Sequence, residues 1–340
     1  MSNQKNSRWE SQKGWALFTW AIVFALLLSA CGQAQTPKVY HVGILDGFSF
    51  FAGTVEGFKA GMTELGYIEG KNIIYDLQQT NFDPTAEKQI LDKFVADKVD
   101  LIFVFPTEAS LAAKTATEGT NIPVLFANAN IEGVGLIDTV REPGGNITGV
   151  RFPGPDLVIK RFEILMQIAP QAKRVLIGYQ RGYPSVAVYL AALAPVAQAA
   201  GVTIVEAPGD NLVELQAFLD ARAQSADIGI DAILTIPEPL VGTPEGNQVV
   251  AKFAYDHKLP IGGTPFLAGE NAAIFGLMTE NGAVGKQAAP LADKILKGAA
   301  AGTIPVASAE GFLRINTTAA QQLGVTVPEG LLSQAVEVIR

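Results

Sequence analysis

Residues 101–127 read LIFVFPTEASLAAKTATEGTNIPVLFA, and their hydrophobic pattern is that of a strand, a helix and a second strand. The run from Leu101 to Phe105 is apolar without interruption, and Pro123 to Ala127 forms a second apolar run. Between them Thr107 marks a helix start, where its hydroxyl is expected to cap the first turn. Continuous apolar strands separated by helices are typical of parallel sheets covered on both faces. This stretch therefore predicts an α/β fold.

The same alternation extends toward the amino terminus. Val39 to Leu45 has the composition of a buried strand, and the apolar residues after it recur at helical spacings of three and four. Phe51 belongs to this helical stripe, and we interpret it as a core residue. Asn72 to Leu77 is the next strand-like run, and Asp83 followed by Pro84 predicts the N-cap and first residue of another helix. The first part of the chain therefore predicts a doubly wound sheet.

A second α/β unit follows a connection rich in Gly and Pro at residues 142–146. Its predicted strands are 174–179, 202–206, 231–236 and 259–262, and its predicted helices are 185–200, 211–225 and 246–257. One more strand beyond Ile274 and a helix near 284–296 precede the closing segment. We expect two doubly wound, Rossmann-like lobes joined by crossover strands. Lobe 1 is expected at 38–149 and 277–307, and lobe 2 at 150–276 and 308–340.

The amino terminus has the pattern of an export signal. Basic residues precede an apolar run from Trp15 to Leu28, which is short for a membrane-spanning helix, since a span needs about 20 residues. Residues 28–32, Leu-Ser-Ala-Cys-Gly, resemble a bacterial lipoprotein signal, in which the cysteine is lipidated and becomes the first mature residue. We expect removal of residues 1–30, a lipid on Cys31 and a tether at 31–37. A plain secretory peptide cut nearby is the alternative.

Composition and charge exclude several classes of protein. The 340 residues are 49% hydrophobic and 17% charged, which excludes a disordered chain and, at this length, a single small module. The net charge of -8 does not provide the positive potential that attracts nucleic-acid phosphates, so we do not expect nucleic acid as a partner. One cysteine and two histidines cannot form a Cys/His zinc site. The common catalytic motifs do not occur, so we expect neither an enzyme nor a bound metal or cofactor.

Several short motifs follow the order and spacing of one known family. They read GFK at 57–59, LGY at 65–67, EGKNI at 69–73, PGGNITG at 143–149 and PQAKRV at 170–175, and further echoes extend over nearly the whole mature chain. The chain thereby resembles the ABC transporter substrate-binding lipoproteins, of which some members are associated with tryptophan and tyrosine uptake. The resemblance implies a periplasmic-binding-protein clamshell of type I, which closes on a small ligand and presents it to a membrane permease.

The loops after the strands predict where such a ligand binds, because ligands of open α/β sheets lie beyond the carboxyl ends of the strands. Aromatic residues of these loops are expected to wall the cleft, and hydroxyl and amide side chains to orient the ligand. For Asn128 and Asn130, the alternative to ligand contact is a role in a turn. Thr107 matches a position that the family retains, and the resemblance therefore implies contact with the ligand. The candidate ligand-binding residues are Phe48, Phe50, Thr107, Asn128, Asn130, Tyr183, Ser185, Glu238 and Phe266.

The chain departs from the family pattern at polar positions of this cleft. Members commonly carry Asp-Pro where this chain has Ile131-Glu132, and the family's Asp-Asn-Thr run is Pro-Glu-Pro at 237–239. A carboxylate suited to a ligand ammonium group is therefore missing, unless Glu132 or Glu238 replaces it. Arg181 could hold an acidic group, but we expect it on the surface. An unpaired amino group is costly to desolvate, so a neutral or deaminated aromatic or branched compound is expected to bind best.

The function that these observations favour is extracytoplasmic solute binding. The protein is expected to capture a small apolar or aromatic molecule between its lobes and to deliver it to the permease of an ABC transporter. Its further partner is a membrane, through the lipid on Cys31. The alternative is a receptor that senses the same kind of ligand and signals to a membrane sensor protein.

Overall fold

The computed structural model describes residues 38–340. The predicted signal peptide at 1–30, the predicted lipidation of Cys31 and the predicted tether at 31–37 all lie outside the described residues. Within the described range, every helix is too short or too polar to cross a bilayer.

The first sheet, on which lobe 1 is built, is entirely parallel. Its strands are β1 (Tyr40–Asp46), β2 (Ile73–Gln79), β3 (Leu101–Phe105), β4 (Val124–Ala129), β5 (Ile147–Arg151) and β11 (Ala307–Ser308). They are adjacent in the order β11-β5-β4-β3-β1-β2. In β3, Leu101, Phe103 and Phe105 pack into one hydrophobic cluster, whereas Ile102 and Val104 pack into another. Both faces of this sheet are therefore covered, as the uninterrupted apolar run predicts.

The second sheet forms the centre of lobe 2 and is mostly parallel. Its strands are β6 (Arg174–Gln180), β7 (Thr203–Gly209), β8 (Ala232–Leu234), β9 (Ile261–Gly263), β10 (Phe275–Thr279), β12 (Gly311–Asn316) and β13 (Glu337–Ile339). They are adjacent in the order β13-β12-β10-β9-β8-β6-β7, and β10 with β12 forms the antiparallel pair. A separate hydrophobic cluster surrounds this sheet, so each lobe has a core of its own.

Ten α-helices are present in the described part of the chain. They are α1 (Ala52–Glu64), α2 (Pro84–Ala96), α3 (Thr107–Ala116), α4 (Gly154–Ile168), α5 (Pro184–Ala199), α6 (Leu212–Ala223), α7 (Pro244–Asp256), α8 (Asn281–Leu296), α9 (Thr317–Gln322) and α10 (Glu329–Leu332). The predicted cap of α2 is confirmed, because Asp83 Oδ1 accepts hydrogen bonds from the N–H groups of Thr85 (2.9 Å) and Ala86 (3.1 Å). The sequence analysis omitted α4, although four of its apolar residues are buried on one face: Leu157, Val158, Phe162 and Leu165.

The chain crosses between the two sheets three times. Strand pairing extends β5 through Arg151 and β10 through Thr279, which pairs with Gly311. The crossings therefore follow Arg151, Thr279 and Ser308, whereas the sequence analysis placed the lobe boundaries after residues 149, 276 and 307. The reason is that a strand ends where its neighbour stops offering backbone partners, which the composition of the strand alone does not reveal. Because α8 follows the second crossing and packs on α1, the chain returns to lobe 1 there.

Candidate functional site

A cavity of about 420 Å³ lies between the lobes, at the carboxyl ends of the strands of both sheets. We call it the interlobe cavity. Its walls come from loops of lobe 1, from loops of lobe 2 and from the crossing segments. The residues that line it are Phe48, Phe50, Phe51, Phe82, Pro106, Thr107, Glu108, Asn128, Asn130, Phe152, Tyr183, Ser185, Tyr189, Pro237, Glu238, Pro239, Met278, Thr279 and Asn281.

Two further cavities help to locate the binding region. A side cavity of about 290 Å³ shares Thr107, Asn130 and Tyr183 with the interlobe cavity and is therefore its continuation. A larger cavity of about 940 Å³ lies at the opposite end of lobe 1, where Asp100 precedes β3 and Pro123 precedes β4. Parallel sheets bind ligands beyond the carboxyl ends of their strands, so the interlobe cavity is the candidate site.

Seven aromatic side chains form most of the apolar wall of the interlobe cavity: Phe48, Phe50, Phe51, Phe82, Phe152, Tyr183 and Tyr189. The rings of Phe48 and Phe82 stack with their centroids 5.0 Å apart, and Phe50 meets Phe51 edge to face at 5.2 Å. Phe50 is 65% exposed, although burial of an aromatic side chain is strongly favourable. Phe51 also contacts the ring of Phe105. It is partly buried, so it packs against the core of lobe 1 and also forms part of the cavity wall.

The backbone that carries Phe82 is strained. Phe82 has φ of 60° and Asn81 has φ of 50°, a left-handed conformation that residues with bulky side chains rarely adopt. The N–H of Phe82 donates a 2.7 Å hydrogen bond to the carbonyl of Gly47, which holds this turn against the loop after β1. Strain of this kind is found more often at binding sites than elsewhere. Here it turns the ring of Phe82 onto Phe48 at the cavity wall.

The amide side chains of the site connect lobe 1 to the segment after Thr279, where the chain crosses between the lobes for the second time. Asn128 is buried at a bulge in β4, where its φ is 49°, and its Nδ2 donates to Thr54 Oγ1 at 2.8 Å. Asn281 Nδ2 donates to the carbonyl of Phe50 at 2.7 Å, and Asn128 Nδ2 lies 3.5 Å from Asn281 Oδ1. Asn128 is thus held in place by its amide nitrogen. Its amide oxygen accepts no hydrogen bond from the described residues, and Asn128 lines the interlobe cavity.

Thr107 acts differently from the cap that the sequence predicts. The N-cap position of α3 is Pro106, and Thr107 is the first helical residue. Its hydroxyl accepts a 3.0 Å hydrogen bond from the N–H of Asn130 instead of bonding within its own helix. The capping prediction is therefore wrong, because the loop after β4 reaches this hydroxyl. The bond joins the ends of β3 and β4, and both residues line the interlobe cavity.

Two carboxylates that the sequence analysis proposed as ligand groups already have partners. Glu238 is buried, and its Oε2 accepts from the N–H groups of Gln180 (2.6 Å) and Leu240 (2.9 Å), while its Oε1 accepts from Val241. Glu132 Oε1 lies 2.7 Å from Arg151 Nη1. Glu238 thus holds the loop after β8, and Glu132 holds the end of β5.

Phe266 and Arg181 lie outside both cavities. Phe266, which is expected to wall the cleft, does not line the interlobe cavity. The loop after β9 turns back toward β10, and the carbonyl of Phe266 accepts a 2.8 Å hydrogen bond from the N–H of Ala273. Arg181 is 56% exposed and pairs with Asp210 and Glu214, in agreement with its expected surface position. The other eight candidates line the interlobe cavity, and their contact with a ligand stays a prediction.

Several residues that line the interlobe cavity are not among the predicted ligand-binding residues, although most of them also follow the carboxyl end of a strand. Phe82, Phe152 and Asn281 follow β2, β5 and β10 in this way. Glu108 directly follows Thr107 in the loop that was considered. Tyr189 lies inside α5 and has no such signal; it is 3% exposed, and burial raises the pKa of its hydroxyl.

The described residues contain no group of three or more His, Cys, Asp or Glu side chains placed to hold a metal ion. The residues that line the interlobe cavity offer aromatic faces, amides, hydroxyls and carboxylates for the recognition of a ligand.

Comparison with known proteins gives one family and several relatives. A family model described as "ABC transporter substrate binding protein" matches residues 43–339. A curated protein from Clostridioides difficile strain R20291, named "Tyrosine-binding protein", is 27% identical over 252 residues, which are 74% of this chain and 70% of that protein.

Solved structures of similar proteins cover nearly the same part of the chain. The ligand-free, open structure of a substrate-binding protein with adhesive properties from Clostridium difficile has a TM-score of 0.75 at 26% identity and covers 88% of this chain and 99% of its own. A conserved domain protein from Vibrio cholerae has a TM-score of 0.69 at 27% identity, with 88% and 100% covered. An ABC domain from Streptococcus pneumoniae in complex with L-Trp, at 22% identity and a TM-score of 0.66 over 88% and 100%, shows the fold alone.

Proposed function

Since this chain belongs to the ABC transporter substrate-binding protein family, we propose that it captures a small aromatic molecule between its lobes and delivers it to the permease of an ABC transporter. The family membership confirms the resemblance drawn from the sequence motifs, and the similar structures confirm the two-lobed fold that was predicted. The members of this family bind solutes, so the expectation that the chain is not an enzyme is confirmed as well.

The observation that carries the proposal is the wall of seven aromatic side chains around the interlobe cavity. A volume of about 420 Å³ lies within the range of pockets that hold small ligands. The rings come from both lobes, Phe48 and Phe82 from lobe 1 and Tyr183 and Tyr189 from lobe 2. A planar aromatic ligand between them would contact both lobes at once and stabilise the closed arrangement. The few polar groups at the wall, such as Asn128 and Ser185, are suited to orient it.

The relatives support an aromatic ligand. One relative is named for tyrosine binding, and one similar structure holds L-Trp. We carry over from them the aromatic character of the ligand and leave out its amino-acid part, because the cleft of this chain departs from the family at the polar positions described above.

Binding should be visible as stabilisation of the purified protein by aromatic compounds. L-Tyrosine, L-tryptophan and their deaminated counterparts are to be compared with ribose in a thermal-shift assay and by calorimetric titration. A compound at 100 times its dissociation constant adds about 2.7 kcal/mol to the free energy of unfolding. We expect this effect from at least one aromatic compound and none from ribose. Stabilisation by ribose alone would contradict an aromatic ligand.

The variant Phe82→Ala tests the site itself. Phe82 is 44% exposed, so its loss should change stability little but should weaken binding of the aromatic compound about tenfold. Phe218→Ala is the matched control, because Phe218 lies on α6 beneath Arg222, and does not line the interlobe cavity. Equal losses of affinity in both variants would show that the effect is not specific to the site.

For the amino-terminal segment we propose an extracytoplasmic location with a lipid anchor on Cys31. A signal of this kind leaves lipid chains on the cysteine, and two or more chains anchor a protein stably where one does not. We expect Cys31→Ser to release most of the protein from the membrane fraction of the producing bacterium. The measurement is fractionation followed by detection of the chain. Membrane association equal to that of the unaltered protein would contradict lipid anchoring through Cys31.

A further inference from the structure

Most carboxylates near the candidate site are satisfied within the chain. Glu238 accepts from three backbone N–H groups, and Glu132 pairs with Arg151. Asp46, behind the loop that carries Phe48, accepts from the N–H of Phe48 at 3.1 Å and from Gln79 Nε2 at 2.8 Å. A carboxylate with such partners has little capacity left for a ligand cation.

Glu108 is the exception. It is the second residue of α3, is exposed, and lines both the interlobe cavity and the side cavity. Its carboxylate has no hydrogen bond or ion pair with any described residue. It also acts across the cleft: burial raises the pKa of the Tyr183 hydroxyl of lobe 2, and the negative charge of Glu108, from lobe 1, raises it further. An unpaired negative charge therefore faces the space between the lobes.

The surroundings of Glu108 favour a positively charged ligand group. No Lys, Arg or His is among the described residues that line either cavity. The aromatic faces of Phe82, Tyr183 and Tyr189 add to this preference, because a ring face attracts a cation within about 6 Å. A ligand that brings one positive charge would neutralise Glu108, whereas a purely anionic ligand would meet an unpaired negative charge.

We infer that Glu108 holds the ammonium group of the ligand, so that the cleft takes aromatic compounds that carry a protonated primary amine. The inference rests on the proposed function, since it assumes that the ligand is aromatic. It replaces the preference for neutral or deaminated compounds that the sequence suggested. The preference for deaminated compounds rests on Glu132 and Glu238 as the only candidate carboxylates. It does not take into account Glu108, which directly follows Thr107 in the sequence.

The test compares compounds that differ in the ammonium group. L-Tyrosine is paired with hydroxyphenylpropionate, its deaminated counterpart, and tyramine is paired with ethylphenol. Calorimetric titration of the unaltered protein should give at least one pair in which the ammonium compound binds about tenfold more tightly, which corresponds to about 1.4 kcal/mol. In Glu108→Gln this ratio should fall to about twofold or less.

Glu118→Gln is the matched control. Glu118 is exposed just beyond the carboxyl end of α3, beside the cavity at the opposite end of lobe 1. The variant therefore removes one negative charge from the same lobe without touching the interlobe cavity. We expect it to keep the tenfold ratio. An unchanged ratio in Glu108→Gln, or tighter binding of the deaminated compounds by the unaltered protein, overturns the inference and leaves the proposed function standing. Failure of every aromatic compound to bind overturns the proposed function itself.

Discussion

Arg161→Ala is expected to lower the free energy of unfolding by about 2–4 kcal/mol. Arg161 lies on α4 and is completely buried. Its Nε donates to the carbonyls of Gly263 (3.1 Å) and Leu277 (2.9 Å), and its Nη2 donates to Leu277 at 2.7 Å. Truncation would leave a cavity. It would also take these donors from the carbonyl of Gly263, at the end of β9, and from that of Leu277, in the middle of β10. Both losses are among the most destabilising that a single substitution can cause.

An opposing effect limits the size of this loss. Among the described residues the guanidinium has no carboxylate partner and its Nη1 has no hydrogen-bond partner, and burial lowers the pKa of Arg161 to about 10. Folding therefore costs free energy for a buried charge, and alanine removes that cost. Arg161→Met separates the two effects, because methionine fills much of the volume without a charge. We expect Arg161→Met to be less destabilising than Arg161→Ala.

Urea denaturation of both variants and of the unaltered protein measures these differences. Arg222→Ala serves as the control, because Arg222 is partly exposed over the ring of Phe218. A loss in Arg161→Ala within about 0.5 kcal/mol of that control would contradict the prediction. Ligand binding should weaken as well, since Arg161 Nη2 lies 3.0 Å from Met278 Sδ and Met278 lines the interlobe cavity.

Gly57→Ala is expected to destabilise the protein by about 2–3 kcal/mol, although alanine is the better helix former. Gly57 lies on α1 where α8 crosses it, and a Cβ at this position would lie 1.9 Å from the carbonyl oxygen of Gly282. Gly285 faces α1 in the same way, with its added Cβ 2.0 Å from the carbonyl of Thr54. The two backbones therefore touch, and a methyl group must push the helices apart.

Gly282→Ala, in the same pair of helices, provides the control. The nearest atom to a Cβ at Gly282 is the carbonyl oxygen of Gly53 at 3.8 Å, which is ordinary contact. We expect this variant to be neutral or up to about 1 kcal/mol more stable, since alanine replaces glycine in a helix. Urea denaturation again gives the difference. Similar stabilities for Gly57→Ala and Gly282→Ala would show that the contact between α1 and α8 tolerates separation.

Much of the architecture follows from local sequence. The strands predicted at 101–105 and 174–179 correspond closely to β3 and β6, and Asp83 caps α2 as its side chain and the following proline predict. These features depend on periodicity and on side-chain contacts with the nearest backbone, which a sequence displays directly. Helix α4, which is not among the predicted helices, could have been predicted in the same way, because Leu157, Phe162 and Leu165 recur at spacings that place them on one helical face.

The rule that ligands bind beyond the carboxyl ends of parallel strands predicts most of the loops that line the interlobe cavity. It placed the loops that carry Phe48, Asn128, Tyr183 and Glu238 at one cleft, because all strands of a parallel sheet end at the same edge. The rule failed for Phe266, since a loop that leaves a strand end can fold back along its own sheet. Strand ends show where the loops begin, but the direction of a loop depends on its hydrogen-bond partners.

The amino-acid sequence by itself determined most of the strands and helices, the two-lobed α/β class and most of the loops that supply the site. Only the tertiary structure decided which carboxylate is unpaired there. Glu132 meets Arg151 from the end of β5, and Glu238 meets the backbone of β6, whereas Glu108 meets neither a cation nor an N–H group of the described chain. The physical reason is that charge pairing requires side-chain atoms within a few ångströms, and that proximity arises from how distant loops pack.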